Sequence, residues 1–136
     1  MEKIKYCKGY KYQLREDYSL QTNVLPKEDI HTELVSLTKD GLLTIRKYFA
    51  WDGCSGPTID DRTNTRACFV HDVFYYLMRM GMLDCLWREV IDSMLEDMMI
   101  EDGALPIRAA YYHSAVHMLA GRCASPKSAR KVYEAP

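Results

Sequence analysis

His71 and Asp72 are adjacent in the segment ACFVHDVFYYL (67–77), and both side chains can do chemistry. On a helix, neighbouring side chains diverge by about 100°, so these two cannot simply pair with each other. They can instead face two sides of one cleft, with His71 as a general base and Asp72 as a metal ligand. Tyr75 follows one turn after His71, where its phenol can hydrogen-bond into the same cleft. We therefore take His71 and Tyr75 as candidate catalytic residues and Asp72 as a candidate metal ligand.

Asp84 is a candidate partner for His71. On the predicted second helix it shares a stripe with four apolar residues: Trp87, Ile91, Met94 and Met98. A carboxylate at the head of an apolar face is costly unless another group meets it. Asp84 could be an N-cap that satisfies free amides at the helix start. It could also reach His71, fix the tautomer of the ring and support the imidazolium, and the two roles are compatible.

The loop Asp52-Gly53-Cys54-Ser55-Gly56-Pro57 is a candidate ion site. Its two glycines and its proline allow backbone carbonyls or amides to converge on a small ion, with Asp52 as a carboxylate ligand. Composition alone favours an ordinary connection between a sheet and a helix. Farther along, Asp60 and Asp61 are predicted to be exposed turn residues.

Four other polar residues are predicted to lie mainly at the surface. His113 and His117 are four residues apart on the predicted third helix, a spacing that can bind zinc. No third ligand with matching spacing accompanies them, so a packed or partly exposed helix face is the preferred interpretation. Arg62 and Arg66 could hold an anionic group, but solvated surface is the simpler prediction.

The secondary-structure elements that must position these candidate residues are predicted to be strands in the first part of the chain and helices in the second. Up to about residue 50 the pattern is that of strands, since Tyr10, Tyr12 and Leu14 alternate with polar residues. The segments 33–37 and 43–47 flank Asp40-Gly41, which indicates a hairpin.

After Pro57 the apolar period becomes helical. The first helix is predicted from Thr65 to Met80 and ends at Gly81, the second runs from about Leu83 to Ile100, and the third from Pro106 to near Gly121. On the second helix the acidic residues are expected away from the apolar stripe: Glu89, Asp92 and Glu96.

These elements predict an α+β fold: a small N-terminal antiparallel sheet followed by three helices. The chain of 136 residues is predicted to be one domain, with a β-rich part (1–50), an ion-binding loop (51–64), three helices (65–121) and an irregular tail (122–136).

Composition limits the classes of function. The net charge of −1 provides no basic field, so no nucleic-acid partner is expected. Neither a signal peptide nor a transmembrane segment is expected. The five cysteines are then thiols by default, although Cys54 and Cys68 flank the segment of interest and could lie close in space.

The motif around His71 resembles that of the phospholipase A2 superfamily, particularly its small bacterial and fungal members. The signature there is an Asp-Gly-Cys-Ser loop, a short link, and Cys-x-x-His-Asp-x-x-Tyr on a helix. The matching segments here are Asp52-Gly53-Cys54-Ser55 and Cys68-Phe69-Val70-His71-Asp72-Val73-Phe74-Tyr75. The match covers about fifty residues and implies a phospholipase A2-like helical core.

This resemblance also implies roles for single residues. In those enzymes the helix histidine activates water, the next aspartate helps to bind calcium, and loop carbonyls complete the ion site. The corresponding residues are His71 as base and Asp72 as calcium ligand, with Asp52, Gly53 and Cys54 in the loop.

Two further correspondences come from the same family. A second aspartate, near the start of the next long helix, orients the histidine, and Asp84 occupies that place here. The loop cysteine and the helix cysteine form a disulfide in those enzymes, which would correspond to Cys54 and Cys68.

A second resemblance covers nearly the whole chain. The sequence is similar to an uncharacterised domain family of tailed phages and prophages, which has Trp-Asp-Gly-x-Ser-Gly-Pro-Thr followed by His-Asp-x-x-Tyr. The matching segments here are KDGLLTIRKYFAWDGCSGPT, VHDVFYYLMR, LDCLWREV, IEDGALPIRAAYY and HMLAG, in that order. This resemblance implies a phage origin and supports the fold more than the chemistry.

Together these observations lead to the expectation of a phage-encoded, phospholipase A2-like hydrolase. A His71–Asp84 dyad would activate water to cleave an ester, including a lipid ester at a membrane surface, with calcium stabilising the oxyanion.

The alternative is a non-enzymatic virion, tail-assembly or host-takeover protein, with a phage structural or host protein as partner. Its His/Asp cluster would be structural. A zinc hydrolase that uses His71 with His113 or His117 is a third hypothesis. The expected location is the host bacterial cytoplasm or the virion.

Overall fold

The structure, a computed structural model, describes residues 3–6, 9–54, 60–119 and 132–135. The strands in these ranges are β1 (Ile4–Tyr6), β2 (Tyr12–Gln13), β3 (Tyr18–Gln21), β4 (Ile30–His31), β5 (Val35–Leu37), β6 (Leu42–Ile45), β7 (Ala50–Trp51) and β8 (Tyr133–Ala135). The helices are α1 (Thr65–Arg79), a 3-10 helix (Cys85–Trp87), α2 (Arg88–Glu101) and α3 (Pro106–Leu119).

The largest sheet has the strand order β3-β6-β5-β4, with all neighbours antiparallel. The hairpin of β5 and β6 turns at Asp40-Gly41 as predicted, and Gly41 has a φ of 87°. A side chain at Gly41 would overlap the carbonyl oxygen of Thr22. The Thr22 amide and hydroxyl both donate to the Gly41 carbonyl at 2.8 Å. The turn is therefore closed against the end of β3, which helps to fix the register of the sheet.

α1 lies at the centre of the core, and ten of its fifteen residues are buried. Its Phe69 ring contacts three rings that come from β3, from β7 and from the residue before β7. The centroid distances are 6.0 Å to Tyr18, 6.1 Å to Phe49 and 4.5 Å to Trp51. α2 packs on α1 and also on α3. Since α1 is covered by strands and by α2, its buried residues extend around most of the helix.

Arg66 joins three elements and is not solvated surface, so that prediction is wrong. Its guanidinium makes two parallel bonds to Asp102, just after α2, at 2.9 Å from Nε and 2.8 Å from Nη2. Nη1 also donates to the Tyr18 hydroxyl of β3 at 3.1 Å. This bidentate, partly buried contact holds the N-terminal end of α1 against the C-terminal end of α2.

The predicted α+β class is confirmed, as an antiparallel sheet part precedes three helices. Three predicted details are wrong. The second helix starts with a separate 3-10 turn, and the predicted alternation did not identify β3 and β4 as strands. Within the predicted irregular tail, residues 133–135 form β8 and pair with β1. The tail residues 122–131 and loop residues 55–59 lie outside the described ranges. No helix among the described residues is long and apolar enough to cross a membrane.

A disulfide joins Cys54, just after β7, to Cys68 in the first turn of α1, with Cα atoms 5.1 Å apart. The default prediction of thiols is wrong for these two residues, and the pairing implied by the phospholipase resemblance is confirmed. Cys85 is a free, exposed thiol. The loop is therefore covalently tied to the helix that carries His71.

Removing this disulfide should lower stability, because the cross-link restricts the unfolded chain. The bridged residues are 14 apart, and a loop of this length is worth about 3 kcal/mol in the chain-entropy description. Cys54→Ala combined with Cys68→Ala should therefore lower the free energy of unfolding in urea by about 2–3 kcal/mol. Cys85→Ala, at an exposed thiol, is the control and should leave it unchanged. Equal stability of the double variant and wild type would contradict this role.

Candidate active site

His71 is paired with a buried carboxylate of α2. Its Nε2 lies 2.7 Å from Oδ1 of Asp92, and the side chains are 4% and 0% exposed. An ionised carboxylate can only accept hydrogen bonds, so Nε2 carries the proton and donates it to Asp92. The other ring nitrogen, Nδ1, is then the basic one. α1 and α2 hold the two partners on opposite sides of one helix–helix interface.

Tyr75 completes this pair from the next turn of α1. Its ring stacks on the His71 ring, with centroids 4.2 Å apart and an interplanar angle of 24°. Its hydroxyl donates to the same Asp92 oxygen at 2.7 Å. Tyr75 was predicted to bond into the cleft of His71, and the structure places its hydroxyl on the carboxylate behind that histidine.

Asp92 is held in its ionised form. Burial by itself raises the pKa of this carboxyl, but the bonds from His71 and Tyr75, and the nearby Arg88 cation, outweigh that effect. The pKa of Asp92 therefore lies below its usual value. A charged carboxylate against Nε2 fixes the tautomer of His71 and would stabilise its imidazolium.

Asp84 does not make the predicted contact with His71. Its carboxylate is exposed and accepts a bond from the Leu86 amide at 2.8 Å, as the N-cap of the 3-10 helix. The capping interpretation is thus confirmed, and the histidine partner is Asp92 instead. The physical reason is the 3-10 turn of Cys85–Trp87, which separates Asp84 from the axis of α2.

Asp92 was predicted to lie away from the apolar stripe of α2, and that prediction is wrong because its side chain is completely buried. The buried face of α2 consists of five residues: Ile91, Asp92, Leu95, Met98 and Met99. Asp92 is spaced from Leu95 and Met99 by i, i+3 and i+7, so it belongs to a second apolar row beside the one that was chosen. A search for a carboxylate within either row would have found it.

Asp72 faces a group of carboxylates on the loop side of α1. Burial raises its pKa to about 7, and the negative charges of Asp52 and Asp60 add to this rise, while Arg79 opposes it. Asp72 is only partly accessible to solvent. Burial is the largest cause of this rise, and repulsion by Asp52 and Asp60 is a smaller one that Arg79 partly compensates.

Asp60, predicted to be an exposed turn residue, is instead a partly buried bridge of this loop. Its Oδ2 accepts bonds from Lys11 Nζ at 2.8 Å and from the Tyr12 hydroxyl at 2.6 Å. Its other oxygen accepts from the Cys54 amide at 3.4 Å. Asp60 therefore links β2 to the backbone of Cys54, one of the two disulfide cysteines.

Gly53 makes the close approach of Asp60 sterically allowed. Its φ is 88°, and a Cβ at this position would lie 2.6 Å from Asp60 Oδ2 and 3.0 Å from the ring of Tyr12. Of the neighbouring residues, Asp52 is exposed and accepts from the Lys11 amide at 3.2 Å. The glycines of this loop were predicted to let backbone groups converge on an ion, and the structure shows that Gly53 leaves room for the Asp60 carboxylate.

The chemistry around Asp72 fits a hard cation such as Ca²⁺, which prefers carboxylate and backbone carbonyl oxygens. A cation would offset the repulsion between Asp72, Asp52 and Asp60. Among the described residues no group of three His, Cys, Asp or Glu side chains is arranged to hold a metal. Any such site would therefore depend on backbone oxygens, for which Gly53 and Cys54 are the described candidates.

The remaining candidates have other partners. Arg108 of α3 bonds to Asp61 at 2.6 Å, and Asp61 is exposed as predicted. His113 Nδ1 lies 2.6 Å from Glu96 Oε2, so its interaction is with α2. His117 Nδ1 lies 3.7 Å from Asp92 Oδ2.

A groove of about 1000 Å³ lies between segments 25–31 and 82–90. Asp84 is part of its lining, but His71 and Asp92 are not. The groove and the histidine therefore belong to different surfaces, and Asp84 belongs to the groove.

Comparison with protein-family models, curated proteins and solved structures gives no match for this chain.

Replacing Asp92 and Asp84 separately by asparagine should distinguish their roles. Asp92→Asn leaves a buried amide in place of the charge that His71 and Tyr75 donate to, and should lower the free energy of unfolding by about 1–3 kcal/mol. Asp84→Asn keeps a good capping side chain, so its effect should stay within about 0.5 kcal/mol. Urea unfolding at pH 7 measures both. A larger loss for Asp84→Asn would contradict the assignment of Asp92.

Asp72 should make stability depend on pH. Its folded pKa of about 7 lies above the ordinary value of 3.8, so the folded state binds more protons between these values. Stability should therefore fall as pH rises from about 4 to 7. Asp72→Asn removes this titration and should be more stable than wild type at pH 8, by about 1–3 kcal/mol, but not at pH 4.

The measurement is urea unfolding at both pH values in EDTA, so that no bound cation masks the repulsion. Asp97→Asn, at an exposed carboxylate of α2, is the control for a general charge effect. A stability difference between wild type and Asp72→Asn that is the same at pH 4 and pH 8 would contradict the prediction.

Proposed function

We propose that this protein is a phospholipase A2-like hydrolase in which His71 and Asp92 activate water for the cleavage of an ester. The single observation that carries this proposal is the buried 2.7 Å contact between His71 Nε2 and Asp92 Oδ1. A second donor, Tyr75, bonds to the same oxygen. The proposed dyad is still a histidine and an aspartate, but the aspartate is Asp92 and not Asp84.

The direction of the hydrogen bond between His71 and Asp92 determines which ring nitrogen can act as the base. Because Nε2 donates to Asp92, the lone pair of His71 is on Nδ1, and this nitrogen accepts a proton from water. The hydroxide equivalent then attacks an ester carbonyl, and as the ester C–O bond breaks the His71 imidazolium returns its proton to the leaving alkoxide. Asp92 stays ionised throughout and stabilises the imidazolium, while Tyr75 holds the carboxylate and covers one face of the ring.

Asp72 is proposed as the carboxylate ligand of a calcium ion, with Asp52 and the backbone of Gly53 and Cys54 as further ligands. When bound, calcium would supply electrostatic stabilisation of the oxyanion. The support for this assignment is the crowding of negative charge at Asp72. The disulfide at Cys54 holds this loop beside α1, where Asp72 and His71 are neighbours in sequence.

The proposed substrate class is an ester, including a lipid ester at a membrane surface. The proposed origin is a tailed phage or prophage, with the host cytoplasm or the virion as location. Both rest on the motifs around His71 and on the order of segments along the chain. The net charge of −1 gives no support for a nucleic-acid partner.

The second candidate is a non-enzymatic phage protein that acts in the virion, in tail assembly or in host takeover. The observation that favours it is burial, because the His71 side chain is only 4% exposed. In that case the bonds among His71, Tyr75 and Asp92 serve to lock α1 onto α2. The partner would be a phage structural protein or a host protein.

An ester assay on matched variants tests the hydrolase proposal. His71→Gln keeps an amide N–H that can donate to Asp92 but removes the base, so hydrolysis of a fluorogenic lipid ester should fall about 10²–10⁴-fold. Asp72→Asn should lose the calcium dependence of the rate, while wild type should be stimulated by calcium and inhibited by EDTA. The measured quantity is kcat/KM with and without calcium.

His113→Gln is the control, since His113 is paired with Glu96 and is not part of the proposed site. It should keep the wild-type rate. Hydrolysis that persists unchanged in His71→Gln would exclude His71 as the base. No hydrolysis in wild type, with a folded His71→Gln of clearly lower stability, would support the structural role.

A further inference from the structure

One oxygen of the Asp92 carboxylate accepts no hydrogen bond from the residues that the structure describes. Oδ1 receives His71 and Tyr75, whereas Oδ2 is fully buried and has no partner among the residues that the structure describes. Arg88 Nε, also buried, likewise has none in that part of the chain. Orphan polar atoms of this kind are rare in folded proteins and usually indicate a bound water molecule or ion.

Both orphan atoms face the same small space. Arg88 Nε lies 3.9 Å from Asp92 Oδ2, and His117 Nδ1 lies 3.7 Å from that oxygen. These separations are too long for direct hydrogen bonds, which span about 2.7–3.2 Å for N–H···O. A water molecule seated beside each gap, about 2.8 Å from both atoms, can still bond to both ends, at an angle of roughly 85°.

The groups around the space suit a neutral ligand. The Arg88 guanidinium is permanently charged and is held over α3 by a bond from Nη2 to the His117 carbonyl at 3.3 Å. This cation opposes a metal ion at the same point. One carboxylate acceptor, one guanidinium donor and one imidazole nitrogen supply three partners, which is the usual number for a buried water.

We propose that one water molecule is bound between Asp92 Oδ2, Arg88 Nε and His117 Nδ1, and that His117 is a positioning residue for the His71–Asp92 pair. The water connects Oδ2 to α3, while Oδ1 is held by α1. The plane of the carboxylate is then fixed at both oxygens, and His71 is aligned from behind. The His117 side chain, which is 48% exposed, joins this chain of bonds to the surface.

This inference deepens the proposed function by adding a residue to its site, but it depends on the contact at Asp92 and not on catalysis. Its test is therefore NMR of the full chain labelled with ¹⁵N-histidine. The His71 Nε2 proton, assigned by its loss in His71→Gln, is buried against Asp92 and should exchange slowly with water.

His117→Leu removes one partner of the bridging water and should make the His71 Nε2 proton exchange about fivefold faster, the effect of one net hydrogen bond. His113→Leu is the matched control. It lies one turn away on α3 and also loses one imidazole contact to α2, but its partner is Glu96. It should leave the exchange rate of the His71 proton unchanged. His117→Gln keeps an amide donor and should restore the rate toward that of wild type.

Equal exchange rates in wild type and His117→Leu would overturn the positioning role, and so would a change of equal size in His113→Leu. A His117→Gln rate equal to that of His117→Leu would also overturn it, since the donor would then be irrelevant.

A crystal structure is the second measurement. Density for a water within hydrogen-bond reach of all three atoms is expected, and a dry gap would overturn the site. These readouts are independent of activity, so a protein without esterase activity could still confirm the inference.

Discussion

A buried negative charge is the constraint on which the rest of this structure depends. Asp92 is completely removed from solvent, and an isolated carboxylate in such a place would cost several kcal/mol. Hydrogen bonds from His71 and Tyr75, together with the Arg88 and His117 groups nearby, offset this cost. These groups come from α1, α2 and α3. The three helices must therefore pack in one relative arrangement for the Asp92 charge to be tolerated. The buried His71–Asp92 pair thus favours this arrangement over other packings of the helices.

The aromatic cluster extends this constraint to the strands. Phe69 lies two residues before His71 and packs against Tyr18, Phe49 and Trp51. The strands thus hold the same helix that carries the histidine, on a different side from α2. Three residues before Phe69, Arg66 bonds to both Tyr18 and Asp102 and so joins the start of α1 to β3 and to the end of α2. The histidine is therefore supported by packing on one side and by charge on the other.

Sequence patterns could predict the elements but not every partner within them. The boundaries of α1 and the turn at Asp40-Gly41 follow from local chemistry, namely helical period, glycine and positive φ. The choice between Asp84 and Asp92 does not. A simple helical projection assumes one continuous axis, and the 3-10 turn before Arg88 breaks that axis and leaves Asp84 at the surface. Asp60 was missed for a related reason, since its bonds to Lys11 and Tyr12 span almost fifty residues and no local pattern encodes them.

The disulfide between Cys54 and Cys68 also couples two equilibria. It fixes Cys54 to α1, so that the entropy of placing this end of the loop is lost when the chain folds and not when a ligand arrives. In the reduced protein that ordering would accompany binding, and any ligand held by the loop would bind less tightly. By thermodynamic reciprocity, the same ligand would make the disulfide harder to reduce by the same factor. If the proposed ion binds at this loop, its occupancy and the redox state of this bond would be two measurements of one free energy.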